Sequence, residues 1–521
     1  MTDQERRETI SVFGKLRRTL LGAPKRVDDP SIFHKLSLIP LLAWIGLGAD
    51  GLSSSSYGPE EAFRALGQHT YLALGLGLAT AITVLIISYS YSRIIEQFPH
   101  GGGGYIVATR MIGEKAGVVS GSALLVDYVL TITVSIVACT DALFSYLPMY
   151  LHGYKVAAAA ALILLLIVLN IRGVKESISV MAPIFAVFLL THIVLLGFGL
   201  FGNLSALPAA LGGAGENLSR DLADPKIGLV GLLALFFRAY SLGGGTYTGI
   251  EAVSNGLQIM REPKVQTGKT TMVYMAVSLA LTAGLLFVCY VLIGASPAEG
   301  KTLNSILADR LYASWPIGKQ LAVVTIFSEG ALLLVAAQAG FIDGPRVMAN
   351  MAVDSWFPHR FAALSERLTM QNGVLVMGIS SLLLLFYTKG SVSALVVMYS
   401  INVFLTFSLS QFGMVRFYVT HREGHPEWKR HLAIHLVGLL LCLTILGITT
   451  YEKFLEGGWL TVVITSCVIG LCYRIKSHYV EVREEMKTLD NMLTDLPLPE
   501  HAEEKPVQKK EMTAVVLVNQ Y

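Results

Sequence analysis

The chain has 521 residues, of which 53% are hydrophobic and only 15% charged, and its mean hydropathy lies well above zero. That composition excludes a water-soluble globular protein, so the length goes into membrane spans. The formal charge of +3 is too small, and its cations too concentrated at span ends, for nucleic-acid binding.

Residues 1–34 form a basic N-terminal segment carrying Arg6, Arg7, Lys15, Arg17, Arg18, Lys25 and Arg26. No short apolar stretch with a small-residue cleavage site precedes the first span, so no cleaved signal peptide is expected. Ile10, Phe13, Leu16 and Leu20 fall at helical spacing opposite Lys15, Arg17 and Arg18. This is the pattern of an interfacial helix, with a disordered basic arm as the alternative.

Residues 35–475 are the transmembrane region. A span takes ~20 apolar residues, and hydropathy places about twelve. They lie near residues 38–66, 70–94, 117–147, 155–171, 178–202, 227–258, 268–294, 319–342, 373–387, 392–415, 432–450 and 457–474. A cytoplasmic N-terminus puts the clusters Arg93/Arg110/Lys115, Arg172/Lys175, Arg261/Lys264/Lys269, Arg346/Arg360/Arg367 and Arg416/Arg422/Lys429/Arg430 inside. Only scattered cations such as Arg64, Lys155, Arg220, Lys301 and Lys389 fall outside. The positive-inside asymmetry therefore predicts two cytoplasmic termini in a multi-pass protein of the cell membrane. Residues 476–521 form a short charged cytoplasmic tail with a helix expected over 480–492. Cys139, Cys289, Cys442, Cys467 and Cys472 lie in or beside apolar runs with no C-x-x-C pair, and read as packing thiols.

Two segments contradict continuous helix. Residues 46–59 read Gly-Leu-Gly-Ala-Asp-Gly-Leu-Ser-Ser-Ser-Ser-Tyr-Gly-Pro, and residues 241–251 read Ser-Leu-Gly-Gly-Gly-Thr-Tyr-Thr-Gly-Ile-Glu. Glycine and hydroxyl residues favour an opened backbone in both. In hydrocarbon, freed backbone groups are tolerated only where they line a cavity or are buried in protein, so two such breaks imply an internal polar site. They fall in the first and sixth spans, corresponding members of two five-span halves of opposite topology, as in inverted-repeat transporters. Glycines alone also serve close helix packing. Packing does not explain Asp50 and Glu251, because a carboxylate at membrane depth costs several kcal/mol.

Nearby residues supply oxygen. Asp127, Thr131 and Ser135 sit at i, i+4 and i+8 on one face of the third span, Thr248 and Glu251 at i and i+3 in the sixth, and Tyr57 begins the outer half of the first. Hydroxyls in membrane helices commonly bond the preceding turn, which is the competing role of Thr131 and Ser135. Asp127 has a structural pairing as its alternative.

These residues resemble the amino acid, polyamine and organocation superfamily of transporters. Three stretches carry the resemblance: Phe98-Pro99-His100-Gly101-Gly102-Gly103-Gly104-Tyr105, Tyr247-Thr248-Gly249-Ile250-Glu251, and Phe341-Ile342-Asp343-Gly344-Pro345-Arg346 at the end of the eighth span. The tetraglycine is no phosphate loop, since no Gly-Lys-Ser/Thr follows it. The resemblance implies an all-α membrane protein with a LeuT-type 5+5 inverted repeat, discontinuous helices 1 and 6, and alternating access. Within the superfamily, Asp50-Gly51-Leu52-Ser53-Ser54-Ser55-Ser56-Tyr57 is similar to potassium importers of the KimA and KUP type. Amino acid permeases usually carry a neutral motif at this break, and an aspartate there would repel a substrate carboxylate.

By that resemblance Asp50, Tyr57, Thr131, Ser135, Thr248, Glu251 and Tyr399 surround potassium, and Asp50, Glu251 and Asp127 are the proton-coupling candidates. No cofactor is expected beyond the transported potassium and proton. The expected partners are the bilayer and a monovalent cation, and a homodimer is compatible with the family. The short tail departs from relatives with a substantial cytoplasmic domain, so regulation through such a domain does not carry over. Two neighbouring acids around one cation need not both ionise, so one can hold the coupling proton while the other meets the ion. The expectation is a proton-coupled potassium importer, with an amino acid or amine permease of the same superfamily as the alternative. An enzyme is not expected, since no His-Glu-x-x-His and no nucleophile with a placed base occurs.

Overall fold

The structure, a computed structural model, describes residues 37–99, 101, 103–172, 175–367, 369–424 and 426–494. The expectations for residues 1–34, for His100 and Gly102, and for the tail beyond 494 lie outside the described residues. The chain divides into two compact units, one ending at Ile475 and one beginning at Lys476.

The first apolar segment is built of pieces: α1 (Pro40–Gly46), α2 (Gly48–Ser53), a 3-10 turn (Ser54–Ser56) and α3 (Gly58–Ala65). Then follow α4 (Ala73–Gln97), the short α5 (Gly103–Val107), α6 (Glu114–Phe144), α7 (Lys155–Arg172) and α8 (Lys175–Phe201). A connecting helix α9 (Leu207–Ala223) leads into α10 (Gly228–Leu242), a 3-10 stretch (Gly243–Tyr247) and the four-residue α11 (Ala252–Asn255). Beyond these come α12 (Lys264–Ile293), α13 (Leu303–Tyr312), α14 (Gly318–Val353), α15 (Gln371–Thr388), α16 (Val392–Thr420), α17 (Trp428–Lys453) and α18 (Trp459–Thr494). Among the described residues extended pairing is limited to two isolated bridges. One joins Leu38 to Met260, with Leu38 N donating to Ile259 O (2.8 Å) and Arg261 N donating to Leu38 O (2.9 Å), and so ties the start of the first segment to the end of the sixth.

Among the described residues, 11 helices are long and apolar enough to cross a membrane. The segment of residues 40–65 is absent from that number because its pieces are individually short. Counted from Pro40, the breaks fall in the first and sixth apolar segments. Residues such as Leu78, Leu190, Val230 and Leu383 are exposed on helix surfaces, which suits contact with lipid chains. Burial is deepest on α6, where 94% of the most apolar window is enclosed by other helices. Its neighbours are α14 along one side and α16 along another, while α12 packs on α4 and α17 on α16.

The structure refines several sequence expectations. Residues 46–59 are not uniformly opened: helix resumes at Gly48, so Asp50 stands in the first turn of α2, and the chain departs from helix at Tyr57 (φ −129°, ψ −32°). Serines 53, 54 and 55 explain the persistence, because each hydroxyl returns to a carbonyl three residues back (Asp50 O 2.8 Å, Gly51 O 2.5 Å, Leu52 O 2.7 Å) and tightens the turn. The Asp343-Gly344-Pro345-Arg346 stretch does not end its helix; α14 runs on to Val353 with Pro345 inside. Two connecting helices, α9 and α13, occupy stretches read as loop. All five cysteines are free, four of them buried, but Cys467 is exposed rather than packed in the protein interior.

Candidate functional site

The two breaks cross one another. In the sixth segment Thr248 is extended (φ −72°, ψ 154°) and Gly249 takes φ +78°, a left-handed turn that favours glycine. A Cβ on Gly249 would stand 2.5 Å from Gly51 N, 2.8 Å from Asp50 C and 2.9 Å from Asp50 Cγ, so only glycine lets the backbones approach this closely. A second crossing lies one turn away, where a Cβ on Gly58 would meet Thr246 Oγ1 at 2.2 Å and Thr246 N at 2.6 Å. The Ser54 hydroxyl also reaches Thr246 O at 2.7 Å.

Hydroxyls join this crossing to the neighbouring helices. The Thr248 hydroxyl donates to Gly245 O (2.7 Å), which leaves the Tyr57 hydroxyl, 3.3 Å away, to donate to Thr248 Oγ1. On the opposite wall the Thr131 hydroxyl of α6 lies 2.9 Å from the Tyr399 hydroxyl of α16 and 3.0 Å from Asp127 O. Thr131 thus has both the helix-internal bond and a bond across to a neighbouring helix. Ser135, one turn further along α6, is buried, and its hydroxyl has no hydrogen-bond partner among the described residues.

Asp50 on α2, Asp127 on α6 and Glu251 at the start of α11 are all buried. Each of Asp50 and Asp127 lies within electrostatic reach of Glu251, and Asp127 also of Asp50. Neither carboxylate oxygen of Asp127 has a hydrogen-bond partner among the described residues, and Glu251 Oε2 has none either. Unpartnered buried oxygens cost roughly 1–3 kcal/mol each and more when charged, so such a concentration points to a ligand or a proton rather than to packing.

Asp50, Tyr57, Thr248 and Glu251 therefore belong to the crossing of the two broken segments, and Asp127, Thr131, Ser135 and Tyr399 to the wall formed by α6 and α16. Several polar neighbours were not among the expected ligands, although Ser56 and Thr246 lie in the two broken stretches. Thr246 Oγ1, Ser56 Oγ and Asn255 Oδ1 are buried without partners among the described residues, while Asn255 Nδ2 donates to Tyr128 OH at 2.5 Å. Asp343, within electrostatic reach of Asp50 and Glu251, pairs with Arg346 at 3.2 Å. Its motif was visible in the sequence; its place beside the acids was not.

A cavity of about 380 Å³ enters from the α3 side between α3, α6 and the loop before α13, and reaches Ser56 and Tyr57. Asp50, Thr248 and Glu251 are not among its lining residues, so Tyr57 stands between this vestibule and the acids.

A model of the amino acid permease family matches residues 51–472. The chain is 31% identical over 485 residues to the potassium transporter KimA of Bacillus subtilis (strain 168), covering 92% of this chain and 77% of that protein. Among solved structures, the manganese transporter of Eremococcus coleocola in complex with an aromatic bis-isothiourea substituted compound aligns with a TM-score of 0.45 at 13% identity, over 89% of this chain and 98% of that one. A histidine-to-alanine mutant of the same transporter aligns with a TM-score of 0.47 at 15% identity, over 88% and 97%. With most of its length matched by the family model and aligned to this relative, the chain is a multi-pass membrane transporter that belongs to the amino acid permease family.

Proposed function

We propose that the chain is a proton-coupled potassium importer of the plasma membrane, working by alternating access with both termini cytoplasmic. The observation that carries the proposal is the buried oxygen lining itself: carboxylates from Asp50 and Glu251, with hydroxyls from Tyr57, Thr131, Ser135, Thr248 and Tyr399 around the crossing of two broken helices. Potassium is a hard monovalent cation that must exchange hydration water for oxygen ligands, and this set is all oxygen. The likeness to a potassium transporter over most of the chain supports the same cargo.

The proton follows from the acids. Three carboxyls within electrostatic reach of one another exceed what one monovalent cation neutralises, so Asp50, Glu251 or Asp127 is suited to hold a proton while the others meet the ion. Import of one cation gains about 2.3 kcal/mol per 100 mV of membrane potential, and a co-imported proton adds a second charge and the pH gradient. The family-model match favours a second candidate, an amino acid or amine permease in which Asp50 or Glu251 holds an ammonium group.

One experiment separates them. Purified protein in liposomes is expected to accumulate rubidium or potassium when the outside is acidic, with a proton ionophore reducing accumulation when potassium does not clamp the potential. Asp50→Asn and Glu251→Gln are expected to insert normally yet lose concentrative uptake. Background cation flux together with Glu251-dependent flux of an amine or amino acid would assign the permease instead.

A further inference from the structure

The helix that joins the fifth and sixth apolar segments, α9 (Leu207–Ala223), has 17 residues and takes no part in the site described above. At 3.6 residues per turn its side chains sort into three faces. Ala210, Ala214, Asn217 and Asp221, spaced i, i+4, i+7 and i+11, are half-buried against the protein. Directly after three of these come Leu211, Leu218 and Leu222, about 100° further round the helix and 54%, 38% and 42% exposed. Glu216 and Arg220 are exposed on the far side from the leucines, since Glu216 stands two residues, or about 200°, from Leu218.

This order of faces is the one required of a helix lying flat on a membrane beside a protein, with one face to the protein, the next down into lipid and the far one up to water. The ends of α9 stand at the right depth for it. The span α8 ends at Phe201, 74% exposed, and α10 opens with Leu229 and Val230, 60% and 81% exposed. Exposed apolar side chains at the ends of two spans belong in the acyl region, and only short connections separate them from Leu207 and Leu222. Leu204, in the turn Leu204–Ala206 between α8 and α9, is exposed as well.

The rotation of α9 is pinned. It packs on the turn Thr70–Leu72 that leads into α4, where Asp221 Oδ2 accepts from Tyr71 OH at 2.6 Å and lies 2.7 Å from His69 Nδ1. With Asp221 held there, the leucine row cannot roll inward onto the protein. A second copy of the chain is a poor cover for it, because a stable interface buries ~800 Å² on each partner and three partly exposed leucine side chains bordered by Gly212, Gly215 and Ser219 fall well short. Lipid needs no such area, since the row continues the lipid-facing surfaces of α8 and α10.

We propose that α9 is an interfacial helix whose leucine face takes the acyl chains of membrane phospholipids, with Glu216 and Arg220 at the level of headgroups and water. On the orientation proposed above these are lipids of the outer leaflet. The Asp221 contacts set this lipid seat beside the turn between α3 and α4, next to the outer half of the first broken segment.

Quenching in nanodiscs tests the seat. Full-length protein with the exposed Cys467 replaced by serine keeps its four buried native cysteines. It receives Leu218→Cys or Glu216→Cys, is labelled with a nitrobenzoxadiazole maleimide and is placed in phosphatidylcholine nanodiscs, with the labelled Cys467→Ser parent as blank. Doxyl-labelled lipid is expected to quench the label at Leu218→Cys, and aqueous iodide the label at Glu216→Cys. The ratio of lipid to iodide quenching should differ between the two by on the order of tenfold, because burial of one leucine-sized side chain favours the lipid side by at least that factor. Adding Leu211→Ser and Leu222→Ser to Leu218→Cys should bring its ratio close to that of Glu216→Cys. Iodide quenching of Leu218→Cys equal to that of Glu216→Cys overturns the proposal. Protection of Leu218→Cys from both quenchers also overturns it, since the cover would then be protein, and so does a ratio that the two serines leave unmoved. Nanodiscs open both faces to iodide, so the result stands apart from the direction of the chain, which external labelling of Asn203→Cys reads.

Discussion

Gly249→Ala perturbs the crossing of the broken segments at its tightest point. The left-handed φ of +78° costs a residue with a Cβ about 1–2 kcal/mol. The added methyl would also stand 2.5 Å from Gly51 N and 2.8 Å from Asp50 C, which are backbone atoms and cannot turn aside. Overpacking of this kind costs about 1–3 kcal/mol, giving about 2–5 kcal/mol together. The population of the closed crossing should fall by roughly 30-fold to several-thousand-fold. Rubidium uptake in liposomes and thermal unfolding of the purified protein measure the two consequences, which are uptake near background and a lowered melting temperature. Gly212→Ala is the control, since it sits on the connecting helix α9 with open space where its Cβ would go. Parental uptake and melting in Gly249→Ala would refute the argument that close approach of Asp50 and Gly249 builds the site.

Three further outcomes are expected. Tyr399→Phe removes a hydroxyl 2.9 Å from Thr131 and should raise the apparent KM for rubidium by about five- to tenfold, the worth of one hydrogen-bonding oxygen; an unchanged KM would take Tyr399 out of the ion's surroundings. Cysteines introduced at Asn203 and Arg6 should be labelled from outside intact cells only at the former; external labelling of Arg6→Cys would reverse the proposed orientation. On α9, Asp221 accepts from Tyr71 OH at 2.6 Å and contacts His69 Nδ1 at 2.7 Å, and chiefly the tyrosine bond holds its carboxyl below the usual range. A depressed folded-state pKa means that this anchor is fully present above the unfolded carboxyl's pKa and is lost as pH falls through the folded one. Tyr71→Phe should therefore move acid-induced proteolysis of the 203–226 connection, which holds α9, to higher pH, and an unchanged midpoint would dismiss the anchor.

The membrane-spanning class was legible because apolar runs have one solvent in which they make sense, and the breaks because glycine, serine and a buried acid conflict with continuous helix in hydrocarbon. Asp50 and Glu251 stood out as charges where none is tolerated without a purpose. The persistence of helix through Asp50 was not legible, since it depends on serine hydroxyls folding back on carbonyls, a local geometry that composition does not reveal. Thr131 and Tyr399 are 268 residues apart in sequence and meet at 2.9 Å; their proximity came only from resemblance, because periodicity tells which face a residue occupies and not which helix it faces. Asn255 and Glu329 were passed over for a related reason. An isolated polar residue in a span carries no signal until its neighbours are known, and each gains meaning from a partner, or the lack of one, on another segment.

The distribution of fixed and unfixed contacts around the site bears on how cargo would drive a cycle. The two broken segments are held to each other at Gly249 and at Gly58 by backbone contacts that any large relative movement would break. The α6 wall meets α16 through the Thr131–Tyr399 hydroxyls, whereas Asp127 and Ser135 on α6, and Glu251 Oε2 across from them, make no hydrogen bond among the described residues. The closest backbone approaches thus lie within the crossing, and unsatisfied oxygens stand on both the crossing and the wall. On the proposed mechanism a potassium ion would take oxygens from both sides and offset their desolvation, so its binding free energy would favour closure of the wall on the crossing. A ligand shifts a conformational equilibrium only by its difference in affinity between the two states. An ion contacting the crossing alone would bind equally with the wall near or far and would drive nothing. Coupling therefore requires the α6 oxygens. Loss of Ser135 by substitution to alanine should weaken concentrative uptake more than it weakens equilibrium binding of rubidium, and equal losses in both would place the ion on the crossing alone.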